Sequence, residues 1–148
     1  MNLIKIFLIA FSSLVTATFA ELPDQIAGDW VLDKEGTEKL MKSSPQLKAE
    51  GEQYLPIIIN SMSQAKYTFA EDSITISMPD EVQVIKSKLI RSEGNTYIFE
   101  TQVESNTSTL TITINGSGQL NMRSSVPAIA DYSLWRREST KPSREPTK

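Results

Sequence analysis

Thr96 to Ile114 reads TYIFETQVESNTSTLTITI, and its first half sets Tyr97, Phe99, Thr101 and Val103 on one side of an extended chain against Ile98, Glu100 and Gln102 on the other. Its second half alternates Leu110, Ile112 and Ile114 with threonines. Successive side chains of a strand point to opposite faces, so a period of two marks a strand with one face buried, and aromatic and β-branched residues suit it. Outward from this stretch the same period holds from Lys66 to Arg137. Tyr67 and Phe69 share a face; Ile74, Ile76 and Met78 share another; Leu120 and Met122 follow the hairpin residues Asn115 to Gly118. Further turn signals fall at Glu71 and Asp72, at Pro79 and Asp80, and at Glu93 to Asn95, a spacing that suits an antiparallel barrel or sandwich. Val82 and Val84 keep one phase while Ile85 and Leu89 keep the other, so a bulge is expected in that strand, with Lys86 and Lys88 turned to solvent.

Upstream, Gly28 to Asp33 suits a short first strand with Trp30 and Leu32 inward. A helical pair is expected next, at about 37–63. Thr37 fits an N-cap before Glu38, and Ser44 with Pro45 fits a second N-cap with proline in the first turn. In the second helix Leu47, Gly51, Tyr54, Leu55, Ile58, Ile59 and Met62 form one apolar face, and Pro56 on the opposite face is expected to kink it or end its first half. The expected fold is therefore mainly β: an antiparallel up-and-down barrel or strongly curved sheet of about eight strands, with a helical pair inserted after the first strand.

Residues 1–20 read as a cleavable signal peptide, with Lys5, then an apolar run from Ile6 to Val15, then small residues before cleavage after Ala20 or Ala17. Residues 21–137 form one domain, and 138–148, polar and rich in Pro, Ser and Lys, is expected to be a disordered tail. The chain has no cysteine and no histidine. That removes thiolate and imidazole metal sites, disulfides and most catalytic triads, and leaves a domain held by its hydrophobic core. The absence of disulfides in an exported domain favours a bacterial periplasmic protein over a secreted eukaryotic one. With a net charge of -3, the chain offers no basic stripe for nucleic acid.

A first strand with Gly-x-Trp (Gly28, Asp29, Trp30), then a helical pair, then antiparallel strands ending in Trp135, Arg136 and Arg137 resembles the lipocalin and fatty-acid-binding-protein superfamily, the calycins. In that group the Gly-x-Trp indole packs beside an arginine of the last strand and closes the barrel. The resemblance implies that Gly28, Trp30 and Arg136 form this closure, with Arg137 as the alternative arginine, and that the helices lid the mouth of a barrel holding a small apolar ligand. The chain has fewer strands than the fatty-acid-binding branch, and no basic pair for a ligand carboxylate is assignable.

The candidate ligand-binding residues are Tyr54, Tyr67, Phe69, Tyr97 and Phe99. The inward aromatics line either a ligand cavity or a solid core, since periodicity reports burial alone. The apolar helix face is a lid, a docking surface for another protein, or a face packed on its own sheet. Ser63 to Lys66 matches Ser-x-x-Lys, but it spans a helix-to-strand junction without the other motifs of that enzyme class and reads as coincidence. Asp29, Asp33 and Glu35 read as solvated or helix-capping carboxylates. Asn106 and Asn115 begin sequons that matter only in a eukaryotic source. No catalytic residue, metal or cofactor is assigned. The expected function is a secreted or periplasmic non-enzymatic protein binding a small apolar or amphipathic ligand. The alternative is an envelope protein interaction factor, such as an inhibitor, immunity or assembly protein, with a filled core.

Overall fold

Each alternating segment forms a strand, and each turn signal joins it to the next as a hairpin. The computed structural model describes residues 21–45, 47, 51–125 and 129–139. The expected leader, 1–20, and the expected tail beyond Ser139 lie outside them. Eight strands among the described residues close an antiparallel barrel in sequence order: β1 (Gly28–Leu32), β2 (Lys66–Phe69), β3 (Ser73–Ser77), β4 (Val82–Glu93), β5 (Thr96–Val103), β6 (Asn106–Ile114), β7 (Leu120–Ser124) and β8 (Leu134–Arg137). β8 closes on β1 with Leu32 opposite Trp135, Val31 opposite Arg136 and Trp30 opposite Arg137. The expected bulge lies in β4, where the register against β5 shifts between Leu89 and Arg91 and leaves Ile90 exposed.

Among the described residues between β1 and β2 are the helices α1 (Lys34–Ser43) and α2 (Leu55–Met62). Asp33, not Thr37, caps α1, its carboxylate accepting from the Gly36 N–H at 3.1 Å. Thr37 lies a turn further on, fully buried, and its hydroxyl works against β8: it donates to the Leu134 carbonyl at 3.2 Å and accepts from the Leu134 N–H at 2.9 Å. A helix capped four residues earlier turns Thr37 inward, where a hydroxyl can serve both groups of one peptide. The break expected near Pro56 is a restart. Gly51 has φ 134, a 3-10 turn runs Glu52–Tyr54, and Pro56 sits in the first turn of α2, where its missing N–H costs nothing. Leu55 and Ile59 are buried, whereas Tyr54 and Ile57 are exposed.

The end of the barrel away from the helices is filled. Trp30, Phe69, Phe99, Ile112 and Leu120 are all almost fully buried, and Ile26, from the segment preceding β1, joins the same core. That segment is tied down by the Trp30 indole N–H, which donates to the Ile26 carbonyl at 2.7 Å, and by the Tyr97 hydroxyl, which donates to Gln25 at 2.7 Å.

The closure assigned to Arg136 belongs to Arg137. Trp135 is buried inside the barrel, so in a strand of period two Arg137 shares its face and Arg136 points out. The Arg137 guanidinium lies 4.8 Å from the centre of the Trp30 ring and donates to the carbonyls of Ala27 at 2.7 Å and Asp24 at 2.6 Å. Gly28, at φ 107, lets the chain pass under this guanidinium, and a Cβ there would lie 3.3 Å from Arg137 Nη1.

Candidate functional site

Inward positions at the opposite end, where β1 leads into the helices, enclose a cavity of about 220 Å³ open on one side. Seven strands contribute to it, all but β1. Its apolar wall comes from Ile74 and Ile76 of β3, Ile85 of β4, Leu110 of β6 and Met122 of β7. Tyr67 and Trp135 meet edge to face with centroids 4.6 Å apart and form its aromatic side. The Trp135 indole N–H is satisfied by Ser133 Oγ at 2.8 Å, so the ring presents an apolar surface to the space.

The polar lining is uncharged apart from one carboxylate. Thr101 and Ser108 face each other across β5 and β6 with their hydroxyls 2.8 Å apart, and Thr101 also donates to the Ser108 carbonyl. Ser124, Ser133 and Asp131 bring polar groups to the stretch between β7 and β8, where Asp131 accepts from the Ser124 N–H at 3.3 Å. No lysine or arginine lines the cavity among the described residues. One strand beyond Thr101, Ser87 stands directly opposite it on the inward face of β4. Ser87 is only 7% exposed, and among the described residues its hydroxyl has no hydrogen-bond partner. Leaving such a group unpaired costs about 1–3 kcal/mol. Burial also raises the Tyr67 phenol above its ordinary value of about 10.

The expected ligand-binding residues are thus divided. Tyr67 lines the cavity; Phe69, Tyr97 and Phe99 lie in the packed core on the same inner face; Tyr54 is exposed, turned out by the break at Gly51. The alternation marked the inner face correctly, but the two ends of that face differ in how fully they are packed. Ser87, Ser108, Ser124 and Ser133 carried no signal as a motif. Their trace is that Ser87 and Ser108 keep the inward phase of Leu89 and Leu110, so a polar residue stands where an apolar one is expected.

Other candidates have ordinary partners. The Ser63 hydroxyl donates to the Asn60 carbonyl, while the Lys66 ammonium lies 3.8 Å from Asp29 and 3.5 Å from Glu138, so this serine and lysine do not form a couple. Asp29 also accepts from the Thr68 hydroxyl at 2.6 Å on the outer surface. Among the described residues no group of three acidic side chains is placed to hold a metal, and no helix is long and apolar enough to cross a membrane. Comparison with known protein families, curated proteins and solved structures finds no match to this chain.

Proposed function

We propose that this chain is an exported, non-enzymatic binding protein of the lipocalin-like kind, which takes a small apolar or amphipathic molecule into the open half of its barrel. The observation that carries this reading is the cavity of about 220 Å³ walled by isoleucine, leucine, methionine and aromatic side chains. Its size indicates the scale of the ligand. Sites for drug-sized molecules run from roughly 300 Å³ upward, while an apolar cavity of about 150 Å³ already holds benzene. The occupant is therefore about one ring or a short chain, far smaller than a long-chain fatty acid. The barrel with helices after its first strand, and the Trp30–Arg137 closure, support the lipocalin-like reading. Export rests on the character of residues 1–20.

Native mass spectrometry of freshly purified protein, together with titration of an apolar fluorescent probe, tests binding. A probe that binds the wild type and is lost on Leu110→Trp, which fills the cavity from β6, supports the reading. Failure of the wild type to bind any apolar probe sinks it.

A second reading, an envelope interaction factor, is favoured by the outer face of β4. Val82 and Val84 are 65% and 64% exposed there, with Met78 exposed just before the strand. A stoichiometric complex abolished by Val84→Lys, with probe binding intact, would favour this reading over the first.

A further inference from the structure

The ligand-binding reading leaves the chemical class of the occupant open, and the row of hydroxyls across β4, β5 and β6 narrows it. Ser87, Thr101 and Ser108 are consecutive cross-strand neighbours on the inner face of the barrel, one from each strand. Ile85, Leu110 and Met122 surround this row with apolar surface. A row of polar side chains inside an otherwise apolar barrel is costly unless each finds a partner. Thr101 and Ser108 find each other, but a hydroxyl supplies one donor and two acceptor positions, so the pair retains capacity toward the cavity that it lines. Ser87, buried beside Thr101, has no partner among the described residues.

The charges around the cavity are equally selective. Its lining includes the Asp131 carboxylate and, among the described residues, no cation. A carboxylate-bearing ligand would lose its hydration without gaining a counter-charge from the lining.

Resting on the binding function proposed above, we infer that the cavity selects a neutral molecule of about ten non-hydrogen atoms with a hydroxyl or carbonyl oxygen, such as a small phenol or short alcohol. Its oxygen joins the Thr101–Ser108 pair that lines the cavity, and its hydrocarbon body lies against Ile76, Ile85 and Leu110. Carboxylates of the same size are excluded.

The test is a series on one ethylphenyl frame: 4-ethylphenol, ethylbenzene and 4-ethylbenzoate, titrated by calorimetry into the full chain and followed by backbone amide shifts. Binding of 4-ethylphenol is expected to be at least ten-fold tighter than that of 4-ethylbenzoate and several-fold tighter than that of ethylbenzene, with the largest shifts at Thr101 and Ser108. Ser108→Ala, which leaves Thr101 its bond to the Ser108 carbonyl, is expected to weaken 4-ethylphenol about five-fold, the usual scale of one hydrogen bond, and to leave ethylbenzene unchanged. Equal binding of the phenol and the hydrocarbon, or tighter binding of the benzoate, overturns the inference while leaving ligand binding itself intact. Undiminished phenol binding by Ser108→Ala overturns it too. If none of the three binds, the inference fails; the general apolar probe then shows whether the binding function fails with it.

Discussion

The Arg137 guanidinium does two things at once at the filled end of the barrel: it covers the Trp30 ring and it gathers two carbonyls of the segment before β1. Cation–π contacts contribute about 0.5–2 kcal/mol, and a hydrogen bond to a charged group contributes about 1.5–3 kcal/mol when desolvated. Arg137 is partly open to water, so the lower ends of these ranges apply. Arg137→Met is expected to cost about 2 kcal/mol in urea denaturation, and Arg136→Met less than about 0.5 kcal/mol, since Arg136 lies on the outer face. Equal losses would place the closure elsewhere. A second residue-scale device is the turn between β5 and β6, where Glu104 is the non-glycine residue with positive φ, at 54, among the described residues. Left-handed backbone costs an ordinary side chain about 1–2 kcal/mol, part of which glycine returns through its greater freedom when unfolded. Glu104→Gly is therefore expected to stabilise the protein by about 0.5–1 kcal/mol, read from the same denaturation curves.

At the scale of elements, the helical insertion is joined to the barrel through α1 and β8. The Leu134 carbonyl accepts from both the Asp33 N–H and the Thr37 hydroxyl, and the Leu134 N–H donates back to Thr37. A threonine within a helix thus takes the place of a neighbouring strand at the edge of β8. Thr37→Val keeps the shape but leaves the Leu134 N–H unpaired, so it is expected to cost about 1–3 kcal/mol. Asp33→Ala, which removes only the cap of α1, is expected to cost about 1 kcal/mol. The midpoint of denaturation, with the slope unchanged, measures both. The existence of this junction was hidden in the sequence. Thr37 followed by Glu38 looks like a cap in its own right, and the competing cap at Asp33 wins because it lets Thr37 reach β8.

Across the whole molecule, the barrel is divided between a packed end and an open one. Tyr67 lies on the open side, and burial raises its phenol above about 10. The native state then holds a proton that the unfolded chain releases, so Tyr67's contribution to stability is complete below about pH 10 and declines as the pH rises through its folded value. Melting temperature followed from about pH 8 to about pH 11 should fall more steeply for wild type than for Tyr67→Phe. Parallel curves would mean that the phenol is not desolvated. The same division limits what the alternating pattern could reveal. Tyr67, Phe69, Tyr97 and Phe99 share a phase, but of the four only Tyr67 borders the cavity inside the barrel, because emptiness depends on summed side-chain volumes around the ring of strands.

The period-two runs from Lys66 to Arg137 and the helical spacing between the first two strands determined by themselves a mainly β chain of about eight antiparallel strands, barrel or strongly curved sheet, with helices after β1; the β1–β8 pairing decided for the closed barrel. Local periodicity sufficed because each strand buries one face and each hairpin joins neighbours. Only the tertiary structure decided that Arg137 closes the ring and that one end holds a cavity. It also aligned Ser87, Thr101 and Ser108 across three strands. Those outcomes depend on register and packing between residues far apart in the chain, which no single stretch of sequence contains.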